Sequence, residues 1–380
     1  MSESHPGETS APIPILLMVQ ELGQGGSERQ MTEIARALDR RRFLPHVGTL
    51  RPAGYRTAEL EAAGVHVARF ELRSFRSAAA VRAAHHMRQY LRHHRIRLVH
   101  TFDAPTNVFG IPVARSRPRI LAVSSQRAFR ELAGGLRPLL RGTDRLAHAV
   151  VVNCKALEQH LIQDEAVAPR KIQLCYNGID LNKFQPAVRT RLAPVQDADV
   201  VIGCVCALRP EKNLRSLLRA FALSKARTPR TRLVIVGSGP VLPELRQLAA
   251  ELAIEANCWF EPSTPDVADW LRSIDIFVLP SSSEALSNSL MEAMACGCCA
   301  VATQIGGNPE LVLEGRTGLL YPSGDSEALA RHLDLLIADA HARNQFAESG
   351  TRFIHESFSL AASAHRMAAI YDQLLHATPV

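Results

Sequence analysis

A chain of 380 residues exceeds what one hydrophobic core ordinarily supports, which predicts two domains. With 47% hydrophobic and 21% charged residues, the composition is that of a soluble globular protein, and no apolar run reaches the roughly 18–20 residues a membrane helix needs. The net charge of +7 is unevenly shared: residues 1–190 hold 28 Lys and Arg against 16 Asp and Glu, which leaves the second half acidic. The polar, acidic start does not read as a secretory signal, and residues 1–12 are expected to form a disordered tail. The eight cysteines lack the paired spacing of a zinc site or a disulfide framework, so a reducing cytoplasm fits.

Along the first half, strand-like apolar runs fall at Ile13–Val19, Pro45–Leu50, Val65–Phe70, Arg97–Thr101, Ile120–Ser124, Ala149–Asn153 and Ile172–Tyr176. Helix-period stretches lie between them at Ser27–Leu38, Ala78–His93 and Ala156–Gln163. Around the second of these, Arg76, Arg82, Arg88, Arg92, Arg95 and Arg97 alternate with His85, His86, His93 and His94, with no acid between. Phe75, Val81, Met87, Tyr90 and Leu91 are its candidate buried stripe. Such a basic face suits an anionic membrane surface or nucleic acid, but no finger, homeodomain or aromatic-rich motif supports nucleic acid.

Periodicity fades from Phe184 to Asp199, where Pro186 and Pro194 stand, and residues 186–199 are read as a linker. The alternation then resumes: Val200–Cys206, Leu214–Ala226, Arg232–Val236, Val241–Leu252, Cys258–Phe260, Val267–Ser273, Ile274–Leu279, Leu286–Cys296 and Cys299–Thr303. Strands alternating with helices predict α/β layers with parallel sheets, twice over. The expected domains are 13–185 and 200–358, with a last helix, Leu360–His376, packing back towards the first.

Four motifs follow strands, where ligands of such sheets bind. Gly23-Gln24-Gly25-Gly26-Ser27-Glu28 opens the first helix, and its glycines allow close approach to helix-start amides that favour anions. It is not G-x-G-x-x-G. Arg209 and Lys212 enter a helix three residues apart and suit a diphosphate. Gly237-Ser238-Gly239-Pro240 is another tight turn. Glu284 and Glu292 stand eight residues apart at the start of a helix, so one carboxylate lies at or before its first turn and the other just over two turns on. That pair suits a ligand carrying both sugars and phosphates.

Taken with Tyr176-Asn177-Gly178-Ile179-Asp180, Glu292-Ala293-Met294-Ala295-Cys296-Gly297 and Gly306-Gly307-Asn308-Pro309-Glu310, this order resembles glycosyltransferase family 4, from about Ile13 to Leu375. The resemblance implies a GT-B fold, an α/β architecture with two Rossmann-like domains facing each other across a cleft. It implies a retaining transferase that moves a sugar from a nucleoside-diphosphate sugar to a saccharide or lipid-linked hydroxyl acceptor in cell-surface polysaccharide or glycolipid assembly. A nucleotide-sugar epimerase or a catalytically silent binding protein of the same fold are the alternatives. Glu292 would hold the ribose, and Glu284 the sugar hydroxyls. Leu286, Ser287 and Asn288 would contact sugar and phosphate through their backbone, and Arg209 and Lys212 would neutralise the diphosphate. Gly25, Gly26 and Gly237 would approach the donor, with Asp266 and Val267 near the base. No metal or other cofactor is expected, because cations and helix-start amides take over the divalent ion's role. His100 and Asp103 close the fourth strand where many relatives carry His-x-His, with Phe102 in the second histidine position, and either is a candidate to meet the donor sugar. Arg127 and Asn177 are placed on the acceptor side. Relatives commonly carry glycine where this chain has Ala285, which requires a negative φ there. The expected location is cytoplasmic, with peripheral attachment to the inner membrane face through Arg76–Arg97.

Overall fold

The structure is a computed structural model that describes residues 11–377 apart from 24, 53, 73, 76, 130–134 and 188–190. Two compact units make up the chain: Met1–Gly178 with Leu360–Val380, and Ile179–Ser359.

The first unit holds seven strands, β1 (Ile13–Val19), β2 (Phe43–Thr49), β3 (His66–Arg69), β4 (Leu98–Thr101), β5 (Leu121–Gln126), β6 (Ala149–Val152) and β7 (Ile172–Leu174). All pair in parallel in the order β3-β2-β1-β4-β5-β6-β7. Ile15 to Val19 are fully buried, as expected of a central parallel strand covered on both faces by helices. The order reverses between β1 and β4, where Ile15 lies opposite Leu98 and Met18 opposite Thr101. Loops leaving that point diverge and open a crevice for ligands. The helix Ala104–Arg115 after β4 was not apparent from periodicity, because Pro105 and Pro112 interrupt its pattern. Proline in the first turn is compatible with a helix, since its missing N–H would have no partner there.

The last helix, Leu360–Ala377, lies within this first unit. Met367, Ile370 and Tyr371 join the core of β1, β2 and β4, and Tyr371 meets Phe43 edge-on at 5.8 Å. Ser363 Oγ donates to the Tyr176 carbonyl at 2.8 Å and fixes the start of the helix beside the end of the first unit.

The second unit holds β8 (Val200–Val205), β9 (Thr231–Val236), β10 (Cys258–Glu261), β11 (Ile276–Leu279), β12 (Cys299–Thr303) and β13 (Gly318–Tyr321). Again all are parallel, in the order β10-β9-β8-β11-β12-β13, with the reversal between β8 and β11. Strand β13 and the helices Ser326–Ala338 and Ala340–Ser357 extend the alternation beyond the elements read from sequence.

The unit boundary falls at Gly178, ahead of the stretch expected as a linker. Ile179 N–H donates to the Phe358 carbonyl at 3.0 Å, which ties that segment to the second unit. Arg191 then bonds the Ser273 carbonyl at 3.0 Å and the Asp275 carboxylate at 2.9 Å. Proline and lost periodicity here mark irregular chain docked on a domain by side-chain contacts, which local pattern cannot distinguish from a free connector. All eight cysteines are free. Burial pushes the Cys258, Cys296 and Cys299 thiols up to about 12, as fits packing residues.

Candidate active site

In the second unit, the loops leaving β8 and β11 flank the reversal of strand order. The first carries Arg209, a short 3-10 turn at Pro210–Lys212 and Asn213 in the left-handed region at φ 47°, from which the helix Leu214–Leu223 starts. The second carries Ser281 to Ser287. The two are tied at the backbone, where Ser282 N–H donates to the Glu211 carbonyl at 2.8 Å. Their side chains meet as well. Lys212 Nζ lies 2.6 Å from Glu284 Oε2, and Ser281 Oγ donates to the same oxygen at 3.1 Å. Burial alone would lower the Lys212 pKa, but the adjacent Glu284 carboxylate more than offsets this and holds it above the usual lysine value. Arg209 is exposed and makes no ion pair among the described residues. Sequence reading did not single out Ser281; the serine run after β11 was its only signal.

The following helix runs Asn288–Ala295 rather than from Leu286. Ser287 is its N-cap, accepting from Leu290 N–H at 3.3 Å, so the two residues before it are buried loop. Glu284 therefore precedes the helix, and Glu292 sits inside it at 3% exposure. Ala285 is not among the described residues with positive φ. The glycine this loop requires is instead Gly306, at φ 50°, where a Cβ would come within 1.7 Å of the Glu284 carbonyl oxygen. Gly307 N–H donates to the Ala285 carbonyl at 2.6 Å, so the loop after β12 backs the one bearing Glu284. Gly237 plays a similar part after β9: at φ 149°, a Cβ there would lie 1.9 Å from the Cys206 carbonyl oxygen. Asp266 is exposed at the start of the helix Val267–Ser273.

In the first unit, Gly25 caps the helix Gly26–Ala37, and the Glu28 carboxylate reaches back to it. Gln24 lies outside the described residues. His100 does not open towards a ligand: it is fully buried, with Nδ1 at 2.7 Å from Tyr371 Oη and Nε2 at 2.8 Å from Ser125 Oγ. Burial, reinforced by the nearby Arg127 charge, holds its pKa well below the usual histidine value, so the ring is neutral. Asp103 is half-buried and engaged at both oxygens. It caps the helix Ala104–Arg115, with Oδ1 accepting from Thr106 N–H at 2.9 Å and Oδ2 from Gln20 N–H at 2.6 Å. Both candidates for the donor sugar at the end of β4 are thus engaged in holding the unit together. Sequence could not show this, because Tyr371 lies 271 residues from His100.

What does open beside β4 and β5 is a cavity of about 150 Å³, lined by residues including Ser27, Phe102, Ser125, Gln126 and Arg127. Arg127 Nη1 donates to Asn177 Oδ1 at 2.6 Å, and its guanidinium lies 4.9 Å from the centre of the Phe102 ring. Burial pulls the Arg127 pKa down to about 10.

The helix Ala78–His93 buries Ala83, Met87 and Leu91, a stripe of three residues spaced four apart. Val81 and Phe75, expected in that stripe, are 72% and 41% exposed. Arg82, His85, His86, Arg88, Arg92, His93 and Arg95 are exposed too, while Arg76 lies outside the described residues. Beneath the helix, His46 Nδ1 lies 2.6 Å from Tyr90 Oη, with His66 and His94 stacked around them. No described helix is long and apolar enough to cross a membrane, and no three His, Cys, Asp or Glu side chains among the described residues group to hold a metal.

Residues 24–183 match the family model described as Glycosyltransferase Family 4, and residues 193–353 match that for Glycosyl transferases group 1. The chain belongs to glycosyltransferase family 4. This family 4 chain is similar to a D-inositol 3-phosphate glycosyltransferase of Streptosporangium roseum, 32% identical over 62% of this chain and 58% of that protein. It is also similar to an N-acetyl-alpha-D-glucosaminyl L-malate synthase of Bacillus anthracis, 29% identical over 58% of this chain and 59% of that one. The matches therefore span less than two thirds of these curated relatives. Among solved structures, Anabaena HepE in complex with UDP and glucose superposes with a TM-score of 0.82 over 94% of this chain and 99% of its own, at 22% identity. Sucrose-phosphate synthase from Thermosynechococcus elongatus gives 0.83 over 96% and 100%, at 20% identity. These likenesses and the two parallel sheets establish the expected two-domain α/β GT-B fold.

Proposed function

We propose that this family 4 protein transfers a sugar from a nucleoside diphosphate to a hydroxyl acceptor with retention of configuration, in the assembly of a cell-surface polysaccharide or glycolipid. The observation that carries the reading is the Lys212–Glu284 contact of 2.6 Å at the strand-order reversal of the second unit. It places a cation suited to phosphate beside a carboxylate suited to sugar hydroxyls, at the position where ligands of such sheets bind. The names of the two relatives, both sugar transferases, support transfer as the activity.

In this reading a bound donor takes over both members of the pair. Lys212 turns to the diphosphate and Glu284 accepts from sugar hydroxyls, while the exposed Arg209 supplies a forked contact to the leaving phosphate. Amides at the start of the helix Asn288–Ala295 add partial positive charge, and Glu292 holds the ribose. Charge that builds on the diphosphate as the glycosyl bond loosens is thus met by lysine, arginine and amides already in place, with no divalent ion needed. The acceptor hydroxyl enters from the face the phosphate leaves, and the phosphate takes its proton, so Glu284 and Glu292 act as hydroxyl readers rather than as an acid/base pair.

Attachment to an anionic inner membrane face through the exposed arginines of Ala78–His93 belongs to the same reading. Incubation with labelled uridine-, guanosine- and adenosine-diphosphate sugars tests it. Donor turnover that rises with a sugar or lipid-linked acceptor and gives a product of retained anomeric configuration supports it. Binding without turnover, or an inverted product, overturns it.

A further inference from the structure

The cavity at the ends of β4 and β5 contains a charge that no described carboxylate balances. Arg127 lines it, yet the guanidinium forms no ion pair with any described carboxylate. Among the described residues its side-chain hydrogen bond is to the neutral amide oxygen of Asn177, and its Nε is buried without an acceptor. Asp103 lines the same space, but its two oxygens already accept from Gln20 and Thr106. A half-buried guanidinium with neither a described carboxylate nor full hydrogen bonding is unfavourable unless something else supplies the counter-charge. The Phe102 ring face, 4.9 Å away, accounts for part of it. The room left, about 150 Å³, is enough for several waters or a small anionic group. Ser27 and Gln126 also line it.

We propose that this cavity seats an anionic group of the acceptor, a carboxylate or a phosphate monoester, on Arg127, with Phe102 as its apolar wall. The anion completes the guanidinium's donor set, and a neutral hydroxyl compound of the same shape leaves it incomplete. Discrimination between the two follows from that difference, because a site built around a charged contact rejects the analogue lacking it. The word acceptor here rests on the transfer reading above.

The experiment uses the full chain, a donor that it hydrolyses or transfers, and two matched acceptor pairs: glycerol 3-phosphate against glycerol, and glycerate against its methyl ester. The expected result is a kcat/KM at least about tenfold higher for the anionic member of one pair, with the pair that responds telling phosphate from carboxylate. In Arg127→Gln the ratio should collapse to within about twofold, and Arg127→Lys should restore part of it. Equal use of both members by the unaltered protein, or a ratio that survives Arg127→Gln, overturns the inference. Should Arg127→Gln fail to fold, the unaltered protein and Arg127→Lys decide. Donor consumption without acceptor is measured alongside. If no donor is consumed under any condition, the transfer reading fails by itself, and calorimetric titration of glycerol 3-phosphate and glycerate then judges the cavity. Binding weakened in Arg127→Lys supports the anion site, and no binding of either overturns it.

Discussion

Lys212 and Glu284, 72 residues apart in sequence, share one hydrogen-bonded ion pair of 2.6 Å that joins the loops after β8 and β11. Replacing Lys212 by Met leaves Glu284 without its cation and removes a charge proposed for the diphosphate. Transfer should fall by about 10²–10³-fold. Stability should fall by about 1–3 kcal/mol, since both side chains are mostly buried. The raised lysine pKa gives a pH signature. A group whose pKa is higher in the folded state stabilises fully below its unfolded value, so the pair's contribution should persist up to about pH 10.5 and vanish only above it. Urea titrations of the protein and of Lys212→Met between pH 8 and 11.5 check this: the gap between them should close only at the alkaline end.

Gly306→Ala should be more damaging than its size suggests. The added Cβ meets the Glu284 carbonyl oxygen at 1.7 Å, and the backbone there is left-handed. The loop after β11 must move, taking Glu284 with it, at about 1–3 kcal/mol for the strained φ alone. Both Tm and donor affinity should drop, whereas Ala285→Gly should leave affinity nearly unchanged. A Gly306→Ala protein with normal donor affinity would refute the coupling of the two loops.

Glu292→Ala should weaken nucleotide binding without unfolding the second unit. Read as a shift in thermal stabilisation, a roughly tenfold weaker Kd removes about 1.4 kcal/mol of ligand-linked stability at saturating nucleotide. Titration calorimetry with nucleoside diphosphates lacking the sugar isolates this residue from Glu284, whose replacement by Gln should affect sugar-bearing donors more.

Acid should destabilise the first unit through neutral buried histidines. Burial, with the charges of His94 and His66, brings the His46 pKa down to about 4, and His100 is held well below 6.5. A histidine with a depressed folded pKa is protonated first in the unfolded chain, so stability falls as pH drops below about 6.5. For His46 the loss continues to about pH 4. His46→Phe should flatten that slope over pH 6.5–4. His100→Ala, which leaves Tyr371 and Ser125 unpartnered, should lower stability by about 1–3 kcal/mol. Denaturant midpoints measured at half-unit pH steps distinguish these outcomes.

The exposed basic helix makes a separable prediction. Liposomes rich in anionic lipid should retain the protein at low salt and release it as ionic strength rises. Replacing Arg82, Arg88 and Arg92 together by Glu should abolish retention with little change in Tm, since all three side chains are exposed. Salt-insensitive retention would exclude an electrostatic contact.

Local pattern was sufficient for the strand–helix alternation and for the motifs after β8 and β11, because period and turn chemistry act over a few residues. The helix Ala78–His93 and strands β1 and β12 have the bounds expected from the sequence. The start of the Glu292 helix differed by two residues, Asn288 rather than Leu286, since Ser287 supplies the cap. The domain boundary differed too, because Arg191 docks the Pro-rich segment onto Ser273 and Asp275 through contacts that no local pattern records.

The sequence by itself determined that two parallel α/β domains exist and which charged residues cluster after their strands, because those are short-range properties of the chain. Only tertiary structure decided what His100, Asp103 and Arg127 do. Each lies at the end of a strand and has the chemistry of a site residue. His100 is closed off by Tyr371 from the far end of the chain, and both Asp103 oxygens are engaged by the Gln20 and Thr106 amides. Arg127 is left with an open cavity and no carboxylate among the described residues. Burial and the identity of distant partners separate the three, and both arise only when the chain is folded.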